Sequence, residues 1–333
     1  MLRKAKRRFA QVGVLGVTVA LGFVFSSLIA PMPVGPKQRF VMVKPRKLSE
    51  QLQIMADKGV IRSTIATSLY GMVVGFRGNR LIAPGVYEVH AGQSAGEVLR
   101  ALVTPLRQLV RLPEGRWAAR TAKTLAEKEV CTSAEYLELI GEPDKFKTPG
   151  VPLTGETLEG YLYPDTYNFP PDLGAELVIR RQLLNFAKKT KGLGLTEKNA
   201  HRVLTIASML ELESNKLDEK KLIAGVIENR IKKGMRLQID ATVNYGMQLW
   251  RPLFYKDYTS VKSPYNTYLK SGLPPGPICS PTVDSIKAAL APAKHDDLFY
   301  ISLPDGRTLF SSTYEEHLKN VALRDKIKAE AKK

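Results

Sequence analysis

Hydrophobic and polar positions change their period several times along the chain. No charged residue occurs from Ala10 to Val34, and the run from Val12 to Ala30 is almost wholly apolar. At about 1.5 Å per helical residue, that run nearly matches a bilayer core of about 30 Å. Pro31 and Pro33 then stop it. The pattern predicts a transmembrane helix over residues 12–34 behind a short arm at 1–11. Cleavage as a signal peptide is disfavoured, because Leu28 stands where a small residue is wanted and Pro31 would follow the cut. A buried soluble helix of this composition would need covering on all sides. Arg3, Lys4, Lys6, Arg7 and Arg8 precede the run, while Lys37, Arg39, Lys44, Arg46 and Lys47 follow it. The charge rule is therefore nearly tied. The short arm has no fold to translocate, so it is expected inside the cell and the body outside.

Residues 40–74 read as strand, helix, helix: Phe40 to Val43 alternates weakly, Leu48, Leu52 and Met55 mark one helical face, and Ile61, Ile65 and Leu69 begin another. A similar pattern recurs from Arg107. Ala56, Lys58, Val60 and Ser63 match Ala126, Lys128, Val130 and Ser133 at one constant offset, a weak internal repeat of a βαα unit. Such units resemble LysM modules, which bind cell-wall glycans, and they would serve equally as a rigid spacer.

Motif density rises from about residue 150. The segment LTGETLEGYLYPDTYNFP interleaves Glu159, Tyr161, Tyr163, Asp165 and Tyr167 with turn residues. Aromatic rings stack on apolar sugar faces and carboxylates accept hydroxyls, so the loop suits sugar recognition or is simply a tyrosine-rich brace. The helix expected over 195–213 is strongly apolar until Glu211. Leu204, Ala207 and Glu211 share a helical face. If that face points inward, desolvation favours the protonated acid, as a general acid requires; the alternative is a salt-bridged structural glutamate. Glu213 lies more than half a turn away and reads as a solvated helix-end residue. From Met235 to Gly246, Gln238, Asp240, Thr242 and Asn244 alternate with Leu237, Ile239, Ala241 and Val243. This predicts an extended segment whose polar face lines a cleft or a solvated edge. Ser263 to Pro281 holds Tyr265, Asn266, Thr267 and Tyr268, then GLPPGPI, a rigid non-repetitive wall.

Composition narrows the classes. The chain has 333 residues and a net charge of +18. Such a charge suits nucleic acid, or alternatively anionic lipid and anionic wall polymer. A nucleic-acid partner would require a body inside the cell and a focused basic face, and neither is indicated. Four scattered histidines and two distant cysteines, Cys131 and Cys279, give no metal-ligand spacing. There is no phosphate-binding glycine motif.

Taken together, EGYLYPDTY (159–167), ASMLELES (207–214), ENRIKKGMRLQIDATVNYG (228–246), YNTYLKSGLPPGPICSP (265–281), AALAPAKHDDLFYIS (288–302) and the late His317 resemble the MltG/YceG-like endolytic murein transglycosylases. The resemblance covers essentially the whole chain. It implies a mixed α+β fold with an N-terminal transmembrane helix, a LysM-like βαα region over 35–149 and an α/β catalytic domain over 150–333. It also implies a single-pass inner-membrane protein with its catalytic domain on the periplasmic side, acting on nascent peptidoglycan strands and associating with peptidoglycan synthases. The first glutamate of the family's ASxxExE block falls on Glu211, which is then the catalytic residue. Family members often have Glu-Lys-Glu where this chain has Glu211-Leu212-Glu213, and a small residue where Cys279 stands.

The implied reaction is lytic. Glu211 would protonate the oxygen between MurNAc and GlcNAc, and the MurNAc C6 hydroxyl would close a 1,6-anhydro ring as the same carboxylate takes its proton. One carboxyl thus does what ordinary glycosidases assign to a pair, and no metal or organic cofactor is needed. Glu159, Gln238, Asp240, Asn266 and Tyr268 are the candidates for positioning the glycan. The rival readings are a non-enzymatic wall-binding protein and a hydrolase pairing Glu211 with Asp240 or Glu213.

Overall fold

The computed structural model describes residues 18–42, 44–76 and 80–330. Its first described residues, 18–29, are helical and form part of helix α1. Among the described residues no helix is long and apolar enough to cross a membrane. This overturns the transmembrane helix expected over 12–34, and with it the single-pass inner-membrane placement. The helix ends ahead of Pro31 and Pro33. The expected arm, 1–11, and positions 12–17 lie outside the described residues.

The chain divides into two compact units, one made of residues up to Gln108 with Phe169–Leu173, the other of Leu109–Asn168 and Gly174 onward. In the first unit, β1 (Lys37–Met42) and β2 (Arg46–Lys47) lead into α2 (Leu48–Asp57) and α3 (Thr64–Val73). These are followed by β3 (Leu81–Ile82), β4 (Gly85–His90) and α4 (Ala95–Ala101). β1 pairs antiparallel with β4, and β2 with β3. Alternation along β1 sends Phe40 and Met42 into a core shared with Leu52, Met55, Tyr87 and Leu99. Ser94 and Glu97 close a reciprocal capping box on α4.

The second unit opens with β5 (Leu109–Leu112), α5 (Ala118–Glu127) and α6 (Ser133–Ile140), and β6 (Asp165–Asn168) returns to pair antiparallel with β5. The sequence repeat is visible in the local geometry. Lys58 and Lys128 close α2 and α5, and Gly59 and Glu129 follow with left-handed φ of 69° and 56°. The buried Val60 and Val130 donate their N–H groups to Met55 at 2.8 Å and Leu125 at 2.9 Å. Each turn therefore caps its helix the same way. Glycine adopts that φ freely, whereas Glu129 does so under strain.

The rest of the second unit is helical: α7 (Ala175–Thr190), α8 (Ala200–Glu213), α9 (Leu217–Lys232), α10 (Asp240–Met247), α11 (Asp257–Ser260) and α12 (Val283–Leu290). The hairpin β7 (Phe299–Ser302) and β8 (Thr308–Ser311) and the terminal α13 (Tyr314–Glu330) complete it. Among the described residues the fold is mixed α+β, and the sheets are two-stranded.

Helix α8 is central. α9, α10 and α12 pack against it, and every residue from Val203 to Leu210 is buried, the signature of a helix covered on all sides. The segment expected to be extended is not a strand: α10 begins at Asp240, and Ala241, Thr242, Val243 and Asn244 are all buried. Four consecutive buried positions fit a helix wedged between neighbours, not an alternating strand. Thr242 is satisfied by its own turn, donating to the Ile239 carbonyl at 2.6 Å, and by the Thr267 hydroxyl at 2.9 Å. Cys131 and Cys279 are both free thiols.

Candidate active site

The last turn of α8 presents two carboxyl groups on opposite sides. Glu211 turns toward α9 and α12. Its Oε2 accepts from the Thr282 N–H at 2.9 Å, the Thr282 hydroxyl at 2.7 Å and the Ser285 hydroxyl at 2.5 Å, with Lys220 Nζ at 3.4 Å. The side chains of Glu211 and Lys220 are only 6% and 4% exposed. Every one of these partners stabilises negative charge on one oxygen. Through that one oxygen Glu211 links α8 to α9 and α12.

Glu213 faces the other way, into a cavity of about 490 Å³ bounded by the β7–β8 hairpin and α13. Protein surrounds its carboxyl while one side stays open to the cavity. Burial raises its pKa from 4.5 to about 7, the Asp240 charge adds to the rise, and the Tyr300 hydroxyl, donating at 2.9 Å, opposes it. Tyr300 comes from β7, where it pairs with Phe310. The group is thus divided between acid and carboxylate near neutral pH, the condition for general acid–base work.

Asp240 lines the same cavity from the start of α10. Its Oδ1 accepts the Tyr268 hydroxyl at 2.6 Å and its Oδ2 the Tyr258 hydroxyl at 3.4 Å. The Tyr258 and Tyr268 rings lie 4.3 Å apart. Gln238 lines the cavity with a left-handed φ of 52°, and its N–H donates to the Thr267 carbonyl. Arg230 reaches in from α9 and is held by the Leu298 and Leu237 carbonyls, each at 2.6 Å, with its guanidinium over the Phe299 ring. His317 also stacks on that ring, with centroids 5.1 Å apart. Desolvation, aided by Arg230 and Arg324, pushes His317 below its usual pKa, and its Nδ1 is buried with no hydrogen-bond partner.

Of the residues singled out in the sequence, the structure brings Gln238, Asp240 and Tyr268 together in this cavity. It places Glu211, Glu159 and Asn266 elsewhere. Glu159 is buried, and its Oε2 accepts the Ala118 N–H at 2.9 Å. Asn266 is fully buried and braces its own loop, donating to the Tyr258 and Val261 carbonyls and accepting the Tyr268 N–H. Sequence reasoning missed the position of Glu213 and the contributions of Tyr300, Phe299, Arg230 and His317. A solvated reading of Glu213 assumes a helix with one wet face, and α8 has none over its central turns.

One carboxyl poised near neutrality, a second carboxyl fixed by two phenols, and aromatic walls around an open polar cavity define an acid–base site for a polar, ring-bearing substrate. The chain belongs to the YceG-like family, whose model matches residues 41–323. It is 30% identical over 288 residues to the endolytic murein transglycosylase of Bacillus subtilis, covering 80% of this chain and 79% of that protein. It is 27% identical over 300 residues to the endolytic murein transglycosylase of Streptococcus pneumoniae strain D39, spanning 54% of that protein's length. A crystal structure of a YceG-like protein from Listeria monocytogenes superposes with a TM-score of 0.56 at 31% identity, covering 85% of this chain and 98% of that one.

Proposed function

We propose that this chain is an endolytic murein transglycosylase in which Glu213, rather than Glu211, transfers the proton. The observation that carries the assignment is the contrast between the two carboxyls. Glu211 has one oxygen committed to three hydrogen-bond donations and an ammonium group, whereas Glu213 lines the cavity with its pKa raised to about 7.

The steps follow from that geometry. Protonated Glu213 gives its proton to the glycosidic oxygen, the bond from MurNAc C1 to that oxygen breaks, and the GlcNAc side departs as an alcohol. Positive charge develops at C1 and the ring oxygen. The Asp240 carboxylate, held by Tyr268 and Tyr258, lies in the same cavity to stabilise it. The MurNAc C6 hydroxyl attacks C1, its proton passes to the Glu213 carboxylate, and the 1,6-anhydro ring closes with the acid regenerated. No water is consumed. Gln238 and Tyr268 orient the strand, while Asn266 acts through the loop that carries Tyr268. The βαα region over 35–149, likened to LysM modules, would add glycan affinity. Association with peptidoglycan synthases, which the family resemblance implies, is tested by co-purification. The proton-transfer assignment is tested by comparing folded Glu213→Gln and Glu211→Gln proteins for the formation of anhydro-MurNAc ends: the assignment fails if Glu213→Gln retains the parent rate.

A further inference from the structure

A second cavity, of about 280 Å³, lies in the same unit near the other end of α8. His201, in the first turn of α8, lines it, and Glu213, the last residue of α8, lines the first cavity. Along the helix axis the two residues stand roughly 18 Å apart. The loop 263–268 links the sites as well, with Tyr265 on the second cavity and Tyr268 on the first.

Four features show that the second cavity is built rather than incidental. Glu159, 5% exposed, lines it, its Oε2 accepting the Ala118 N–H and its carboxyl raised by burial to a pKa of about 7. The His201 side chain makes no hydrogen bond to protein among the described residues, so its ring nitrogens remain for a ligand. Tyr265, Pro275 and Pro277 supply apolar surface. Two glycines keep the space open: a Cβ on Gly276 would sit 3.5 Å from the Tyr265 hydroxyl and 3.6 Å from His201 Nε2, and one on Gly155 would sit 3.0 Å from His201 Cδ2. Polar groups set beside an aromatic and proline wall match a pyranose, which has hydroxyls at its edge and an apolar face.

We propose that this cavity is a second carbohydrate-binding site, which takes one sugar residue of the glycan strand while another part of that strand is cut beside Glu213. The ring nitrogens of His201 meet the ligand's hydroxyls, and the sugar ring lies against Tyr265 and Pro277. The inference rests on the transglycosylase reading for its substrate. It gives internal cleavage a physical basis, because a strand gripped away from the cut is positioned by its interior and not by its end.

The test uses the full chain carrying Glu213→Gln, so that binding is measured without turnover. The probe is peptide-free, uncrosslinked glycan long enough to reach both cavities, titrated calorimetrically. Gly276→Val fills the cavity without demanding a left-handed backbone, since the residue before a proline is extended; His201→Ala removes a polar contact. Circular dichroism confirms the fold of each. Each substitution is expected to weaken binding about fivefold or more, and in the Glu213-containing chain to raise KM far more than it lowers kcat. Affinity and KM within twofold of the parent in both folded variants overturn the site. Equal weakening by free stem peptide as competitor, with no effect of glycan, also overturns it by assigning the cavity to peptide. Should the parent make no anhydro ends at all, the catalytic reading fails while the binding titration still decides the cavity.

Discussion

Replacing Glu213 by glutamine keeps the shape of the side chain and its contact with Tyr300, and removes a carboxyl poised to give and take a proton near neutral pH. Loss of general acid catalysis alone lowers rates about 10²–10⁴-fold, or roughly 3–5 kcal/mol of barrier, and the loss is larger when the same group is also the base. The substitution has a second, independent consequence. The unfolded carboxyl titrates near 4.5 and the folded one near 7, so between these values the folded state holds more protons. Stability therefore falls as pH rises from about 4.5 to about 7 and stays lowered above that. Below 4.5 both states are protonated and the difference vanishes. The full effect is at most about 3 kcal/mol, reduced by whatever water screens the cavity. Glu213→Gln is then expected to be more stable than the parent at pH 8 and equal to it at pH 4. The assays are release of anhydro-ended fragments from uncrosslinked glycan, and thermal unfolding at the two pH values. A folded Glu213→Gln protein within threefold of the parent rate would refute the catalytic argument, and an identical stability difference at pH 4 and pH 8 would refute the electrostatic one.

Other perturbations separate the roles of the neighbours. Tyr300→Phe removes a donor that favours ionised Glu213, so the alkaline limb of the pH–rate profile should move up from about pH 7; a limb that stays or moves down contradicts the contact. Asp240→Asn keeps one oxygen to accept the Tyr268 hydroxyl, replaces the acceptor of the weaker Tyr258 contact with an amide NH2, and removes the charge. It should lower kcat more than it raises KM in a protein that remains folded, and unchanged turnover removes Asp240 from the site. Glu211→Gln strands Lys220 as an uncompensated buried ammonium and should destabilise the chain by about 3–5 kcal/mol, read as a drop in Tm. A folded Glu211→Gln protein with parental Tm and no activity would return the proton transfer to Glu211.

Much of this architecture is legible in the sequence where the signal is local. The βαα repeat announces itself through a constant offset, and the structure shows why: Lys58 and Lys128, then Val60 and Val130, occupy equivalent places in two helix-capping turns. Gln238, Asp240 and Tyr268 were singled out as polar groups in otherwise apolar or rigid segments, and they meet in one cavity. The failures are non-local. Alternation from Gln238 to Asn244 suggests a strand only if one side is wet, and α10 is buried through four successive residues by packing that the segment itself does not encode. The same applies to the two glutamates. Amphipathic reasoning sends one inward and the other to solvent, but α8 is enclosed, so both find protein partners and the partners decide their chemistry. Those partners, Thr282 and Ser285 for Glu211 and Tyr300 for Glu213, are more than seventy positions away. The apolar run before Pro31 is a hydropathy signal, and among the described residues no helix is long and apolar enough to cross a membrane.

The central claim is that the cleavage step uses an internal hydroxyl and no water, and the ends of the products report this directly. Uncrosslinked murein glycan of defined length is incubated with the full chain, and the new ends are identified by mass spectrometry in water enriched in heavy oxygen. The account predicts fragments released from within the strand, each new MurNAc end 1,6-anhydro and free of heavy oxygen. New MurNAc ends that are reducing and carry heavy oxygen would contradict it.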